Sequence, residues 1–143
     1  MKDSPTPKPM LIAFEVTGRC RFACRHCRAN AGAGGEGELT TDQCRRVLSA
    51  IADYSPCTLI LTGGEPMERP DLLDLVRHGR SEGLTMVMAS CGYRIDEQAI
   101  ADLQDAGIRA LSFSLDGASA DTHDLFRGAR GAFDAVIRAA GLA

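Results

Sequence analysis

The sequence predicts an α/β fold: a partial (β/α) TIM-type barrel with about four strand–helix units on a parallel sheet. Three observations predict it. Four apolar runs alternate with four amphipathic segments along the 143 residues, an order that is typical of parallel sheets with right-handed crossovers. The apolar runs are short and continuous, as in strands that are buried on both faces. Polar clusters follow the strands directly, and in barrel-type proteins this end of the sheet carries the chemistry.

The first strand–helix unit follows a polar, proline-rich segment. We expect this segment, residues 1–9, to be an extended or disordered arm in front of a core that begins at residue 10. Residues 10–16 are predicted as a mostly apolar strand, and a cysteine-rich loop and a glycine-rich connector come next. A threonine or aspartate within residues 40–42 can then cap an amphipathic helix, which Pro56 ends.

Three further units repeat this alternation. The predicted strands lie at residues 57–61, 85–89 and 108–115. One helix opens at Pro70 and ends at Gly83, and the next is capped by Asp96 and ends at Gly107. The last helix has apolar residues at helical spacing, namely Phe133, Val136, Ile137 and Ala140.

Composition and charge exclude several classes of function. The chain is 45% hydrophobic and 24% charged, which excludes a disordered or collagen-like protein. A net charge of −3 without a Lys/Arg run, together with only five Phe, two Tyr and no Trp, argues against nucleic-acid binding. No apolar stretch approaches the roughly 20 residues that span a bilayer, and residues 1–9 lack the apolar core of a secretory signal. We therefore expect a cytoplasmic protein with no nucleic-acid or membrane partner.

The strongest chemical signal is a loop with three cysteines after the first strand. Cys20, Cys24 and Cys27 have the spacing C-x-x-x-C-x-x-C, and six cysteines without a secretory signal suggest a reducing compartment where thiols serve metals or catalysis. Three thiolates can bind a [4Fe–4S] cluster and leave one iron without a protein ligand. A structural zinc site remains an alternative, although it normally pairs two C-x-x-C knuckles. An electron-carrying iron–sulfur protein is a further alternative, and its fourth ligand would be Cys44, Cys57 or Cys91.

This loop resembles the signature of the radical S-adenosylmethionine (radical SAM) superfamily, and the resemblance extends through almost the whole chain. After the second strand, Gly63, Gly64, Glu65 and Pro66 look like the family's GGE(P) motif, which contacts the amino group of S-adenosylmethionine (SAM). Glycines let a cationic group approach backbone carbonyls, and a glutamate complements an ammonium group. The resemblance therefore implies a cluster on the three loop cysteines and SAM bound at the open iron.

A second motif follows the fourth strand. The sequence Ser-Leu-Asp-Gly at residues 114–117, followed by His-Asp and by Arg127, resembles the peptide- and cofactor-modifying subgroup of the family, the SPASM/twitch type. This resemblance implies that Ser114 contacts SAM, that Arg127 faces its carboxylate, and that Asp116 belongs to the same site. The alternative is that Asp116 only forms a turn and that Arg127 is a surface charge. His26 occupies a position that is commonly aromatic in the family, where it would stack near the adenine.

The resemblance implies an enzyme. A reduced cluster would cleave SAM to methionine and a 5′-deoxyadenosyl radical, which abstracts hydrogen from a peptide, protein or tetrapyrrole (cofactor) precursor. The implied partners are a reductant such as flavodoxin or ferredoxin and a peptide or small-molecule substrate. A non-enzymatic metal module and a family member that binds SAM without chemistry remain alternatives. Because the family core has six units, we expect residues 10–143 to be a C-terminally incomplete core with an open edge at its fourth strand, and we do not expect independent turnover.

The other cysteines and histidines lie outside the motifs. Cys91 is either a small buried residue or a thiol that faces the cavity. Cys44 and Cys57 are expected to pack in the core. We expect His78 to be solvated and His123 to shape the turn after the fourth strand.

Overall fold

A computed structural model describes residues 7–32, 34 and 37–143 of the chain. Four parallel strands form one sheet in the order β1-β2-β3-β4. The strands are β1 Leu11–Thr17, β2 Thr58–Gly63, β3 Thr85–Ser90 and β4 Ala110–Phe113. The helices are α1 Thr41–Tyr54, α2 Leu72–Ser81, α3 Glu97–Ala106, α4 Ala120–Arg127 and α5 Ala132–Leu142, and a 3-10 turn spans Pro66–Glu68. The predicted alternation of parallel strands and helices is confirmed.

The predicted helices and strands begin and end within a few residues of the positions in the structure. Thr40 caps α1 through a capping box with Gln43, and Asp96 caps α3 by accepting the N–H of Ala99. Gly107 ends α3 in the left-handed region, at φ 102°, where glycine is favoured. Residues 1–6 of the predicted N-terminal arm lie outside the described residues, and residues 7–9 have no regular secondary structure.

One face of the sheet forms the hydrophobic core. Leu59 and Leu61 of β2 and Met86 and Met88 of β3 are almost completely buried. The helices add to the same cluster through residues that include Leu48, Leu75 and Leu103. Because side chains alternate along a strand, these four residues all point to the side that the helices cover.

The other face of the sheet is more polar and more open. Glu15 pairs in register with Thr62, and Ala89 pairs with Ser112. Glu15 and Ser112 are exposed, whereas Thr62 and Ala89 are half-buried. The expectation that both faces are buried is therefore wrong for the described residues, because Glu15, Thr62 and Ala89 line an open cavity instead. β4 lies at the edge of the sheet, as predicted.

Helix α4 is an element that the sequence analysis does not predict. Its N-cap Ser119 forms a reciprocal capping box with Thr122, whereas this motif usually has Glu or Gln at the second position. The helix ends at Gly128, which has φ 63°. No helix in the described part of the chain is both long and apolar enough to cross a membrane.

Candidate active site

A cavity of about 220 Å³ opens at the carboxyl end of the sheet. Most of the predicted site residues line it, namely Cys20, Cys24, His26, Cys27, Gly63, Gly64, Ser114 and Arg127. Glu65, Pro66 and Asp116 do not belong to its lining. The structure thus brings together the two predicted motif regions and the cysteine loop, because all three follow the ends of parallel strands.

Each of the three loop thiols lies near a hydrogen-bond donor. The N–H of Phe22 donates to Sγ of Cys20 over 3.4 Å, and the N–H of Ala31 donates to Sγ of Cys27 over 3.3 Å. Nη1 of Arg127 lies 3.8 Å from Sγ of Cys24. Such donors favour thiolates and are among the features that tune iron–sulfur clusters. All six cysteines of the chain are free.

The thiols do not converge on a single point. Within the described residues, no group of three or more His, Cys, Asp or Glu side chains could hold a metal ion as it stands. A cluster makes a different demand, because each thiolate binds its own iron and the sulfurs need not surround one atom. Burial raises the pKa of the Cys20 thiol, and the hydrogen bond from the N–H of Phe22 opposes this rise.

Backbone contacts hold the cysteine loop at both ends. At its start, the N–H of Cys20 donates to the carbonyl of Gly32 over 2.8 Å. The N–H of Gly32 donates in turn to the carbonyl of Gly18 over 3.0 Å. On the far side, the N–H of Arg25 donates to the carbonyl of Phe126 in α4 over 3.1 Å. The ring of His26 stacks on Phe126 with a centroid distance of 4.2 Å and an angle of 8°. One face of His26 is therefore occupied by the protein.

The two glycines of the GGE(P) motif allow the end of β2 to approach the cysteine loop. The N–H of Gly64 donates to the carbonyl of Thr17 over 2.8 Å, and the N–H of Glu65 donates to that of Arg19 over 2.7 Å. A Cβ atom at Gly63 would clash with the carbonyl of Thr17, and one at Gly64 would clash with that of Arg19. Both positions thus require glycine for backbone packing, whatever they contact in the cavity.

Protein groups donate hydrogen bonds to both carboxylate oxygens of Glu65. Glu65 is 1% exposed. Its Oε1 accepts hydrogen bonds from the N–H of Met67 over 3.1 Å and the hydroxyl of Ser90 over 2.9 Å, and its Oε2 accepts one from the N–H of Cys91 over 2.7 Å. Glu65 therefore caps the 3-10 turn, which begins at the buried Pro66, and ties the end of β2 to the end of β3. Its contact with SAM stays a prediction.

Arg127 is buried and borders the cavity, so the alternative that it is a surface charge is wrong. It is 8% exposed, and its Nη2 lies 2.5 Å from Oδ2 of Asp116. Its buried Nε has no hydrogen-bond partner among the described residues. A buried donor without a partner is uncommon, and this one fits an anionic group such as the carboxylate of SAM.

The His-Asp pair between these residues has structural roles. His123 is 1% exposed, and its Nδ1 accepts the N–H of Asp116 over 3.1 Å, so the prediction that it shapes the turn is confirmed. Asp124 accepts the N–H of Phe133 over 2.8 Å and that of Gly131 over 2.5 Å, at the start of α5. These hydrogen bonds, that of Phe133 first, hold the pKa of Asp124 below its usual value. The sequence does not predict this role, because it predicts neither α4 nor its orientation.

The remaining cysteines are buried, and His78 is half-buried. Cys91 is 8% exposed and also lines the cavity, so both of its predicted descriptions apply, and burial strongly raises the pKa of its thiol. Cys44 and Cys57 are buried in the core, as predicted. The prediction of a solvated His78 is wrong, because its Nε2 lies 3.0 Å from Oγ of Ser49 and joins α2 to α1.

Comparison with known proteins identifies the family. The sequence pattern described as "Radical SAM superfamily" matches residues 14–143. The chain belongs to the radical SAM superfamily. Enzymes of this superfamily use a [4Fe–4S] cluster and SAM, so the predicted family, enzyme class and cofactor types are confirmed at the level of the family.

Curated relatives in this family include two kinds of enzyme. The AdoMet-dependent heme synthase of Methanosarcina barkeri is 42% identical over 133 residues, which are 92% of this chain and 38% of the relative. The mycofactocin maturase MftC of Mycobacterium ulcerans is 33% identical over 131 residues, which are 92% of this chain and 35% of the relative. The chain therefore spans a little more than a third of the length of the curated relatives that it matches.

A solved structure confirms the predicted fold class. SuiB of Streptococcus suis bound to S-adenosylmethionine has a TM-score of 0.78 and 17% sequence identity, and the match covers 92% of this chain and 30% of SuiB. SuiB bound to its precursor peptide SuiA gives the same TM-score. The four parallel strands and their helices therefore have the partial-barrel arrangement of a radical SAM protein.

Proposed function

We propose that this chain provides the cluster site and the SAM methionyl site of a radical SAM enzyme. The observation that carries the proposal is the cavity that Cys20, Cys24 and Cys27 line together with Arg127. Cys20, Cys24 and Cys27 would hold the cluster, which when bound would supply one electron for the reductive cleavage of SAM and so allow radical chemistry on the substrate.

The residues around the cavity have separate tasks in this proposal. The three loop cysteines hold the cluster, and Arg127 offers its Nε to the carboxylate of SAM. Ser114 borders the same cavity after β4 and offers a hydroxyl. Gly63 and Gly64 keep the end of β2 against the loop. Glu65 supports the site through its hydrogen bonds with Ser90 and Cys91, and Asp116 supports it through its ion pair with Arg127.

His26 contributes to the adenine end of the proposed site. One face of its ring is stacked on Phe126, and the ring also lines the cavity. The uncovered face can receive the adenine in the way that the family resemblance implies. Residues 10–143 then form the part of the radical SAM core that carries the cofactors.

We place the substrate in the class of peptide, protein or tetrapyrrole precursors. Heme synthase and mycofactocin maturase relatives support both branches of this class, the former at higher identity. A one-electron donor of the flavodoxin or ferredoxin kind would reduce the cluster. Six free cysteines favour a reducing compartment such as the cytoplasm.

Anaerobic reconstitution with iron and sulfide, followed by electron paramagnetic resonance (EPR), tests the proposal. We expect a reduced [4Fe–4S] signal that changes when SAM is added. We expect Cys24→Ala to lose iron and sulfide, whereas Cys57→Ala, at a core cysteine outside the cavity, retains both. A spectrum that ignores SAM would contradict the proposed function, and one zinc without labile sulfide would favour the metal-module alternative.

A further inference from the structure

The buried guanidinium of Arg127 carries five N–H donors on three nitrogens, and protein groups contact two of these nitrogens. Nη2 lies 2.5 Å from Oδ2 of Asp116, and Nη1 donates to Sγ of Cys24 over 3.8 Å. Nε has no hydrogen-bond partner in the described part of the chain. A single side chain therefore contacts a proposed cluster ligand and also borders the cavity.

Asp116 holds this guanidinium without lining the cavity itself. Its N–H donates to Nδ1 of His123, which is 1% exposed, so the backbone of the loop after β4 is fixed. Oδ2 of Asp116 also lies 3.8 Å from Nε2 of His26, the residue next to Cys27. One carboxylate thus connects the loop after β4 to both ends of the Cys24–Cys27 segment.

The geometry points to Arg127 as the residue that raises the reduction potential of the cluster through its contact with Cys24, and to Asp116 as the positioning residue that holds Arg127 there. The inference rests on the proposed function, because it presupposes the cluster. A reduced cluster carries one more negative charge than an oxidised one. A cationic donor at a ligand sulfur therefore stabilises the reduced form more than the oxidised form.

The main test compares two arginine variants of the reconstituted chain. An EPR-monitored titration with dithionite as the reductant gives the midpoint potential of each protein. Arg127→Gln removes a charge that contacts Cys24, whereas Arg130→Gln removes the same charge from an exposed residue nearby. We expect a lower potential for Arg127→Gln and the wild-type potential for Arg130→Gln. Equal potentials in wild type and Arg127→Gln, at full cluster content, would overturn the inference.

A double-mutant cycle tests the role of Asp116. We expect Asp116→Ala to shift the potential in the wild-type background and to shift it much less in the Arg127→Gln background. In the Arg127→Gln background Asp116 has no guanidinium to hold, so its removal cannot change the contact with Cys24. Equal shifts in both backgrounds would mean that the carboxylate acts on the cluster directly, and they would overturn the positioning role.

Cluster content and midpoint potential test two different claims, the proposed function and the role of Arg127. A wild-type chain that assembles no [4Fe–4S] cluster contradicts the proposed function. A loaded cluster with an unmoved potential contradicts only the role of Arg127. If Arg127→Gln retains no cluster, Arg127→Met takes its place, because this flexible side chain also removes the charge and the donors while it fills the space. For this variant we expect a potential below that of wild type, and an unchanged value would again overturn the inference.

Discussion

The segment that follows β2 and the segment that follows β4 each carry a charged residue that the family motif connects with SAM, yet the two charges have different surroundings. Glu65 is 1% exposed, and both of its carboxylate oxygens accept hydrogen bonds from protein groups. Arg127 is 8% exposed, and its Nε stays without a partner among the described residues. The protein therefore holds the carboxylate of Glu65 on both oxygens, whereas it leaves one nitrogen of Arg127 without a partner.

The two segments also use the backbone differently. After β2, Gly63 and Gly64 let the N–H of Glu65 donate to the carbonyl of Arg19, so this segment supports the cysteine loop from one side. After β4, helix α4 reaches the same loop through the carbonyl of Phe126 and the side chain of Arg127. The first segment is therefore expected to control stability, and the second is expected to control the affinity for SAM and the properties of the cluster.

Substitution of Gly64 should have the largest effect on the first segment. We expect Gly64→Ala to destabilise the fold by about 3 kcal/mol and to prevent cluster loading, because a Cβ would clash with backbone rather than with a movable side chain. Urea unfolding and iron content measure both effects. Gly32→Ala is the control, since a Cβ there meets nothing within 4 Å. A Gly64→Ala variant that unfolds like the control would show that the loop and the end of β2 are not tightly packed.

Substitution of Arg127 should affect the ligand more than the fold. We expect Arg127→Gln to weaken SAM binding about 10- to 100-fold, which corresponds to about 1.5–3 kcal/mol for a hydrogen bond to a charged group. Isothermal titration of the reconstituted protein measures this affinity, and Arg130→Gln is the matched control. Unchanged affinity would mean that the carboxylate of SAM binds elsewhere.

Substitution of Glu65 should affect the stability of the fold more than the binding of SAM. In Glu65→Gln one oxygen becomes an NH2 group, so either the N–H of Cys91 or that of Met67 loses its acceptor. We expect the free energy of unfolding to fall by about 1–3 kcal/mol. Glu68→Gln, which removes an exposed ion pair with Arg94, should lower it by at most about 1 kcal/mol. A variant with wild-type stability but impaired SAM binding would contradict this structural role and support Glu65 as a direct ligand.

The smallest expected effect concerns pH and Asp124. Its hydrogen bonds from the N–H groups of Phe133 and Gly131 lower its pKa in the folded protein. A carboxylate of this kind stabilises the fold above the unfolded pKa of about 3.9, and this contribution disappears as the pH falls through the folded pKa. We therefore expect Asp124→Asn to lower the Tm at pH 6 and the difference from wild type to narrow in acid. Asp121→Asn is the control, and a difference that is independent of pH would refute this account.

The sequence was sufficient for most of the framework of the site. The spacing of Cys20, Cys24 and Cys27 depends only on neighbouring residues, so it could be recognised without any tertiary information. Strand positions and helix caps such as Asp96 are likewise local signals, and the structure agrees with them to within a few residues. Helix α4 was missed because its capping box uses Thr122 and because its residues carried a motif.

The sequence alone could not predict which polar atoms of the motif residues have protein partners and which remain free for a ligand. Glu65 meets Ser90 and Cys91, which are 25 and 26 residues away, and Arg127 meets Cys24 across 103 residues. Such pairings depend on how strands and loops come together, and no local pattern reports them. The same reason explains why the side chain of His78 was placed in solvent although it bridges α1 and α2.

The amino-acid sequence by itself therefore determined the family, the parallel α/β framework and the three thiols, because these depend on short-range spacing and periodicity. Tertiary structure decided which motif residues face the cavity and which hold other residues. Hydrogen bonds from Met67, Ser90 and Cys91 hold the carboxylate of Glu65, whereas Nε of Arg127 has no partner among the described residues. Only the tertiary structure decides this difference, because the partners come from separate strands and loops.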